Sequence, residues 1–136
     1  MSKTIFIYLA ALVVLSFAGC GGHHGEVTPM QLDNGKKWTA NPETTQGIAN
    51  MTALVNAFQA GQNEAGYDQL AGQLEDEFQL IFKNCTMKGE GHEQLHNYLL
   101  PMKELMEKLK TGTVGDRQKS LEAVGQYLAT YSNYFE

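Results

Sequence analysis

The sequence has too few cysteines for a disulfide framework: two, at positions 20 and 85, in 136 residues. Internal repeats and low-complexity tracts are absent, and so is sustained period-two alternation, so strands are not expected. Lysine and arginine form no cluster that tracks a surface, which argues against nucleic-acid binding. No basic amphipathic helix is present to bind acidic lipid. The longest apolar run, Ile5 to Leu15, falls short of the roughly 20 residues a membrane span needs. No Cys-x-x-Cys-His occurs, which disfavours covalent haem.

The N-terminus carries a positive charge at Lys3, then the apolar run, then Ser16, Phe17, Ala18, Gly19 and Cys20. A short basic region, a short apolar core and small residues before a cleavage point describe a secretory signal peptide. The Phe17-Ala18-Gly19-Cys20 tetrad resembles the lipobox of bacterial lipoproteins, departing from it at Phe17, where Leu is usual. The resemblance implies cleavage before Cys20 and acylation of that residue. The expected organisation is a signal peptide over 1–19, a lipid-anchored tether and lead-in over 20–40, and a folded domain over 41–136. Gly22, where some lipoproteins carry Asp, implies an outer-membrane anchor facing the periplasm. Cleavage leaves 117 residues, enough for one hydrophobic core. The mature chain has 9 basic against 15 acidic residues, a net charge of −6.

The domain reads as four helices. Asn41-Pro42-Glu43 offers a cap, a first-turn proline and an acid at the positive end of the dipole. Ile48, Met51, Val55 and Phe58 share one face, and Gly61 is the expected stop. The second helix is expected from Glu64 to Asn84 or Cys85, with Tyr67, Leu70, Leu74, Phe78, Ile81 and Cys85 inward. A third is expected from Glu90 or Gly91 to Lys110, burying Leu95, Leu99, Met102, Met106 and Leu109. Pro101 lies inside it and removes one backbone hydrogen bond. The fourth is expected from a cap at Asp116, with Leu121, Val124, Leu128, Tyr131 and Phe135 inward. Four such helices with short connections predict an all-α, antiparallel up-down-up-down four-helix bundle.

The chemistry concentrates between residues 85 and 96. If Cys20 carries lipid, Cys85 has no partner in an oxidising compartment and needs an explanation. His92 and His96, four apart, project from one helical face. Cys85 and Met87 precede them at a turn that Gly89 and Gly91 allow to fold back. A thiolate, two imidazoles and a weak thioether form the ligand list of blue-copper sites. The resemblance is to that coordination set and not to the β-sandwich that usually carries it. The segment also resembles a Cys-x-Met-x4-His-x3-His stretch of small exported bacterial helical-bundle proteins of uncharacterised function. Copper is the expected ion; zinc is the alternative, and non-covalent haem with His and Met ligands stays open.

Each residue also has a plainer reading. Cys85 continues the core stripe and free cysteine is often a small buried hydrophobe. Met87 suits a loop that caps the core. His23 and His24 read as a polar tether, and Glu75-Asp76-Glu77 as a solvated helix face. Trp38 and Tyr134 are expected near the site as an apolar shell that keeps water off the ion. Two function classes therefore stand. One is a non-enzymatic envelope lipoprotein with a single metal ion, in electron transfer or copper handling with a redox or copper-trafficking protein partner. The other is a metal-free partner-binding bundle with a buried free cysteine. A thiol enzyme ranks last, because no oxyanion-hole glycine motif or third orienting group accompanies Cys85.

Overall fold

The computed structural model describes residues 28–59 and 63–136. The signal peptide, Cys20, His23, His24 and the expected stop at Gly61 lie outside the described residues. The architecture is all-helical: α1 (Pro42–Ala57), α2 (Glu64–Asn84), α3 (Gly89–Glu107), α4 (Val114–Ala129) and a single-turn α5 (Tyr131–Tyr134). A 3-10 turn, Lys108–Lys110, extends α3. Among the described residues, no helix is long and apolar enough to cross a membrane.

Side-chain caps start two of the helices. Asn63 accepts from the Gly66 N–H and starts α2. Asp116 was the expected cap of the fourth helix, but the cap is Thr113. Its side chain accepts from Asp116 N–H while the Asp116 carboxylate accepts from Thr113 N–H, a reciprocal capping box. Asn41 opens α1 without a side-chain cap bond. Its amide instead donates to the Asn84 carbonyl at 3.2 Å, fastening the start of α1 to the end of α2. Pro101 is accommodated within α3, which continues to Glu107.

The core is close to the expected stripes. Ile48, Met51, Tyr67, Leu70, Leu74, Phe78, Ile81, Leu95, Leu99, Met102, Met106 and Leu109 are all buried. Val55, Phe58 and Cys85 lie only partly buried at its edge. α1 packs mainly on α2 and also on α4, and α3 packs on α4 and α2. A β-carbon on Gly47 would stand 2.5 Å from Ile81 Cγ1, so a bare backbone is what lets α1 approach α2. Tyr98, missed by the stripe, is fully buried and stacks on Tyr127 with ring centroids 4.9 Å apart. Each hydroxyl donates to the other residue's backbone carbonyl, at 3.0 and 2.9 Å.

The opposite end is fastened by Arg117. Its guanidinium donates to the carbonyls of Lys110, Gly112 and Glu64 and to the Asp68 carboxylate. One cation thus ties the start of α2 to the turn before α4.

The expected fourth helix does not run unbroken to Phe135. It stops at Ala129, where Thr130 donates its hydroxyl to the Tyr127 carbonyl at 2.7 Å, and one further turn follows. Phe135 is extended and pairs with Trp38: Trp38 N–H donates to Tyr134 O, and Glu136 N–H donates to Trp38 O. The lead-in before Asn41 is therefore part of the folded body. Gln31 N–H donates to the Gln94 side chain and Trp38 Nε1 donates to the Gln31 carbonyl. The acidic run is also less solvated than expected. Asp76 is exposed, but Glu77 accepts from Asn50 at 3.0 Å, and one Glu75 oxygen is buried with no hydrogen-bond partner among the described residues.

Candidate functional site

The link between α2 and α3 is four residues long, from Cys85 to Lys88. Gly89 opens α3 at φ +65°, a left-handed conformation that glycine adopts without strain. The reversal brings Cys85, at the end of α2, against the first turns of α3. Cys85 Sγ lies 3.5 Å from His92 Nδ1. The His92 and His96 rings follow on one face, edge to face with centroids 4.5 Å apart. His96 in turn meets Phe82 of α2 edge-on, with centroids 5.6 Å apart. Cys85 and His92 are half-buried, and His96 is exposed.

Partial burial, and after it the neighbouring His92, push the His96 imidazole below its ordinary value. A depressed value favours the neutral ring, which is the form that binds a metal ion.

No family model, curated protein or solved structure matches this chain. The chemistry of the site therefore rests on its own geometry.

Met87 lies against Gly91, the residue before His92. A β-carbon on Gly91 would sit 3.5 Å from Met87 Cε and 3.1 Å from Trp38 Cε3. Trp38, Met87 and Gly91 line one open cavity, of about 360 Å³. His92 and His96 line a different one, of about 440 Å³, shared with Thr28, Gln94, Glu93 and Asn97. Glycine at 91 is thus the residue that lets the indole close over the first turn of α3. Trp38 reaches the residue next to His92. Tyr134 holds Trp38 through its backbone carbonyl, and its side chain packs partly buried against the core.

Among the described residues, no group of three or more His, Cys, Asp or Glu side chains is arranged to hold a metal ion as the side chains stand. The donors present are a thiol and two imidazoles in sequential contact, open to solvent on the His96 side. Two residues beside them escaped the sequence reading. Phe82 lies three residues before Cys85, which caps the end of α2, a spacing that puts neighbours on one helix face. Gln94, buried and polar, carried no sequence signal, because its partner is the backbone of Gln31.

Proposed function

We propose that this protein is a cell-envelope lipoprotein, anchored through Cys20, whose helical domain holds one transition-metal ion at Cys85, His92 and His96. The observation that carries the reading is the contact chain from Cys85 Sγ to His92 at 3.5 Å and on to His96. An i, i+4 histidine pair is a helical chelate, and a thiolate beside it adds a soft donor. His96 is exposed, and exposed side chains change rotamer within nanoseconds, so the ring is free to turn its nitrogen toward a shared ion.

Copper fits this set best. A thiolate with two imidazoles satisfies Cu(I), and Cu(II) outranks zinc on nitrogen donors. Zinc takes the same three donors with a water in fourth place. Met87 is outside the ligand set in this reading and serves with Trp38 as an apolar wall. The role is electron transfer or copper handling with a protein partner at the membrane.

The site belongs to one end of an up-down-up-down bundle. Residue pairs whose numbers rise on one helix and fall on the next support that arrangement. Gly47 meets Ile81 and Asn50 meets Glu77; Cys85 meets His92 and Phe82 meets His96. Tyr98 meets Tyr127 as Lys110 meets Arg117.

The test is copper retention by the full-length protein against a competing chelator. The reading expects one equivalent bound, with retention lost in Cys85→Ser and in His92→Ala. Equal retention by Cys85→Ser would remove the thiolate from the site.

A further inference from the structure

We propose that the groove between α1 and α2 docks a basic amphipathic helix of a partner protein, with cationic side chains two turns apart and an apolar side chain between them. The groove is an open cavity of about 410 Å³, walled by Glu43, Gln46 and Asn50 on α1 and by Glu77, Leu80 and Asn84 on α2. Carbon makes up most of its surface, and no Lys, Arg or His lines it. Leu80 is 45 % exposed, more than any other large apolar side chain among the described residues. An apolar wall with an acid at each end is the surface a basic amphipathic helix complements.

The two carboxylates mark the ends. Asn41 donates to Glu43 at 2.8 Å and to the Asn84 carbonyl at 3.2 Å, so Glu43 stands at the Asn84 end. Glu77 stands at the Asn50 end, accepting from Asn50 at 3.0 Å, and Asn50 accepts from Gln46 at 2.8 Å. Each carboxylate engages one oxygen in these bonds, and its other oxygen has no hydrogen-bond partner among the described residues. A carboxylate accepts through both oxygens, so each keeps room for a cationic donor. The Asn41 hydrogen bond holds the Glu43 carboxyl below its ordinary value, which keeps it charged. From residue 43 to residue 50 the helix rises roughly 10 Å, and a partner helix rises the same from position i to i+7. An apolar side chain at i+3 or i+4 of that helix would then meet Leu80. Charge selects this occupant over others. The chain carries −5 overall. A like-for-like pairing of two copies would press four such carboxylates together, and an acidic lipid surface would meet them with like charge. At the Asn84 end the groove stops one residue short of Cys85, so a docked partner would sit beside the cysteine–histidine cluster. Docking does not depend on the metal site, and each can fail without the other.

The experiment uses the full-length protein in non-ionic detergent and an alanine-based helical peptide with Lys at i and i+7 and Leu at i+3 and i+4. Affinity is read at low salt from the NMR shifts of the Gln46 and Asn50 side-chain amides. One control peptide carries Glu in place of both Lys, and another has its second Lys moved to i+5. In Glu43→Gln/Glu77→Gln each side chain keeps an oxygen for its asparagine, and Leu80→Ser shortens an exposed side chain, so circular dichroism should show both variants folded. The expected result is binding of the i, i+7 peptide that weakens about threefold to tenfold in Glu43→Gln/Glu77→Gln. Binding should also weaken in Leu80→Ser and fall with added salt. Neither control peptide should match it. No shift of the two amides with the i, i+7 peptide would overturn the proposal, as would equal binding of the Glu peptide or full affinity in Glu43→Gln/Glu77→Gln. Self-association abolished by Leu80→Ser would assign the groove to a second copy, and binding to phosphatidylglycerol vesicles abolished by the same change would assign it to lipid; either would overturn the partner helix. Copper retention reads Cys85, His92 and His96, and so reports separately on the metal site.

Discussion

Replacing Arg117 with methionine keeps the apolar stem and removes the donors that close the end of the bundle opposite the cysteine–histidine cluster. The guanidinium is 8 % exposed in its side chain and donates to three backbone carbonyls, at 3.1 to 3.3 Å, and to Asp68 at 2.6 Å. Hydrogen bonds from a charged donor contribute about 1.5–3 kcal/mol each, but Lys110, Gly112 and Glu64 are exposed residues whose carbonyls can recover water. The expected cost is therefore about 2–4 kcal/mol in total, below the sum of the separate bonds. For a folded body of this size that lowers the melting midpoint by roughly 6–20 °C, read by circular dichroism at 222 nm. The carbonyls and not the ion pair should dominate. Asp68 is 60 % exposed, so Asp68→Asn should cost less than about 1 kcal/mol. Equal losses in the two variants would refute the carbonyl clasp, and a loss under about 1 kcal/mol for Arg117→Met would refute the pinning argument altogether.

Two glycines should respond in opposite directions to alanine. Gly72 is exposed within α2 with nothing near its missing β-carbon, so Gly72→Ala should stabilise by about 0.5–1 kcal/mol in urea unfolding. Gly47→Ala drives a methyl into the γ-carbon of buried Ile81, and an overpacking cost of about 1–3 kcal/mol should exceed the same helical gain. Alkaline pH should unfold the domain through its tyrosines. Burial pushes Tyr127 up from 10.0 to about 12 and raises Tyr98 and Tyr131 as well. The unfolded chain then ionises first, so the stabilisation is complete below pH 10 and is lost as pH rises through 10 toward 12. Urea midpoints measured from pH 9 to pH 12 should fall across that window; a flat profile would contradict the buried cluster.

The helices were the legible part of the sequence because their signals are local. The Glu64–Asn84 helix has a five-residue buried stripe at unbroken 3.6 spacing, and its observed ends coincide with the expected ones. The box at Thr113 and Asp116 was also written in the sequence as Thr-x-x-Asp, and reading Asp116 as the cap missed the hydroxyl three residues earlier. The break at Thr130 carries neither proline nor glycine. It answers to the long-range pairing of Phe135 with Trp38, which no periodicity encodes. At the candidate site, sequence spacing puts Met87 beside the histidines, and the turn carries its methyl to Gly91, the residue next to His92, in a cavity shared with Trp38. Tyr98 escaped because α3 buries two faces, one toward the common core and one toward the α4 tyrosine.

X-ray absorption of the full-length protein loaded with one equivalent of Cu(I) reads the ligand set itself. The expected spectrum contains one sulfur scatterer, contributed by Cys85 and absent in Cys85→Ser, together with imidazole scattering that weakens in His92→Ala/His96→Ala. Copper that is not retained, or retained on nitrogen and oxygen alone, would contradict a site built on Cys85, His92 and His96.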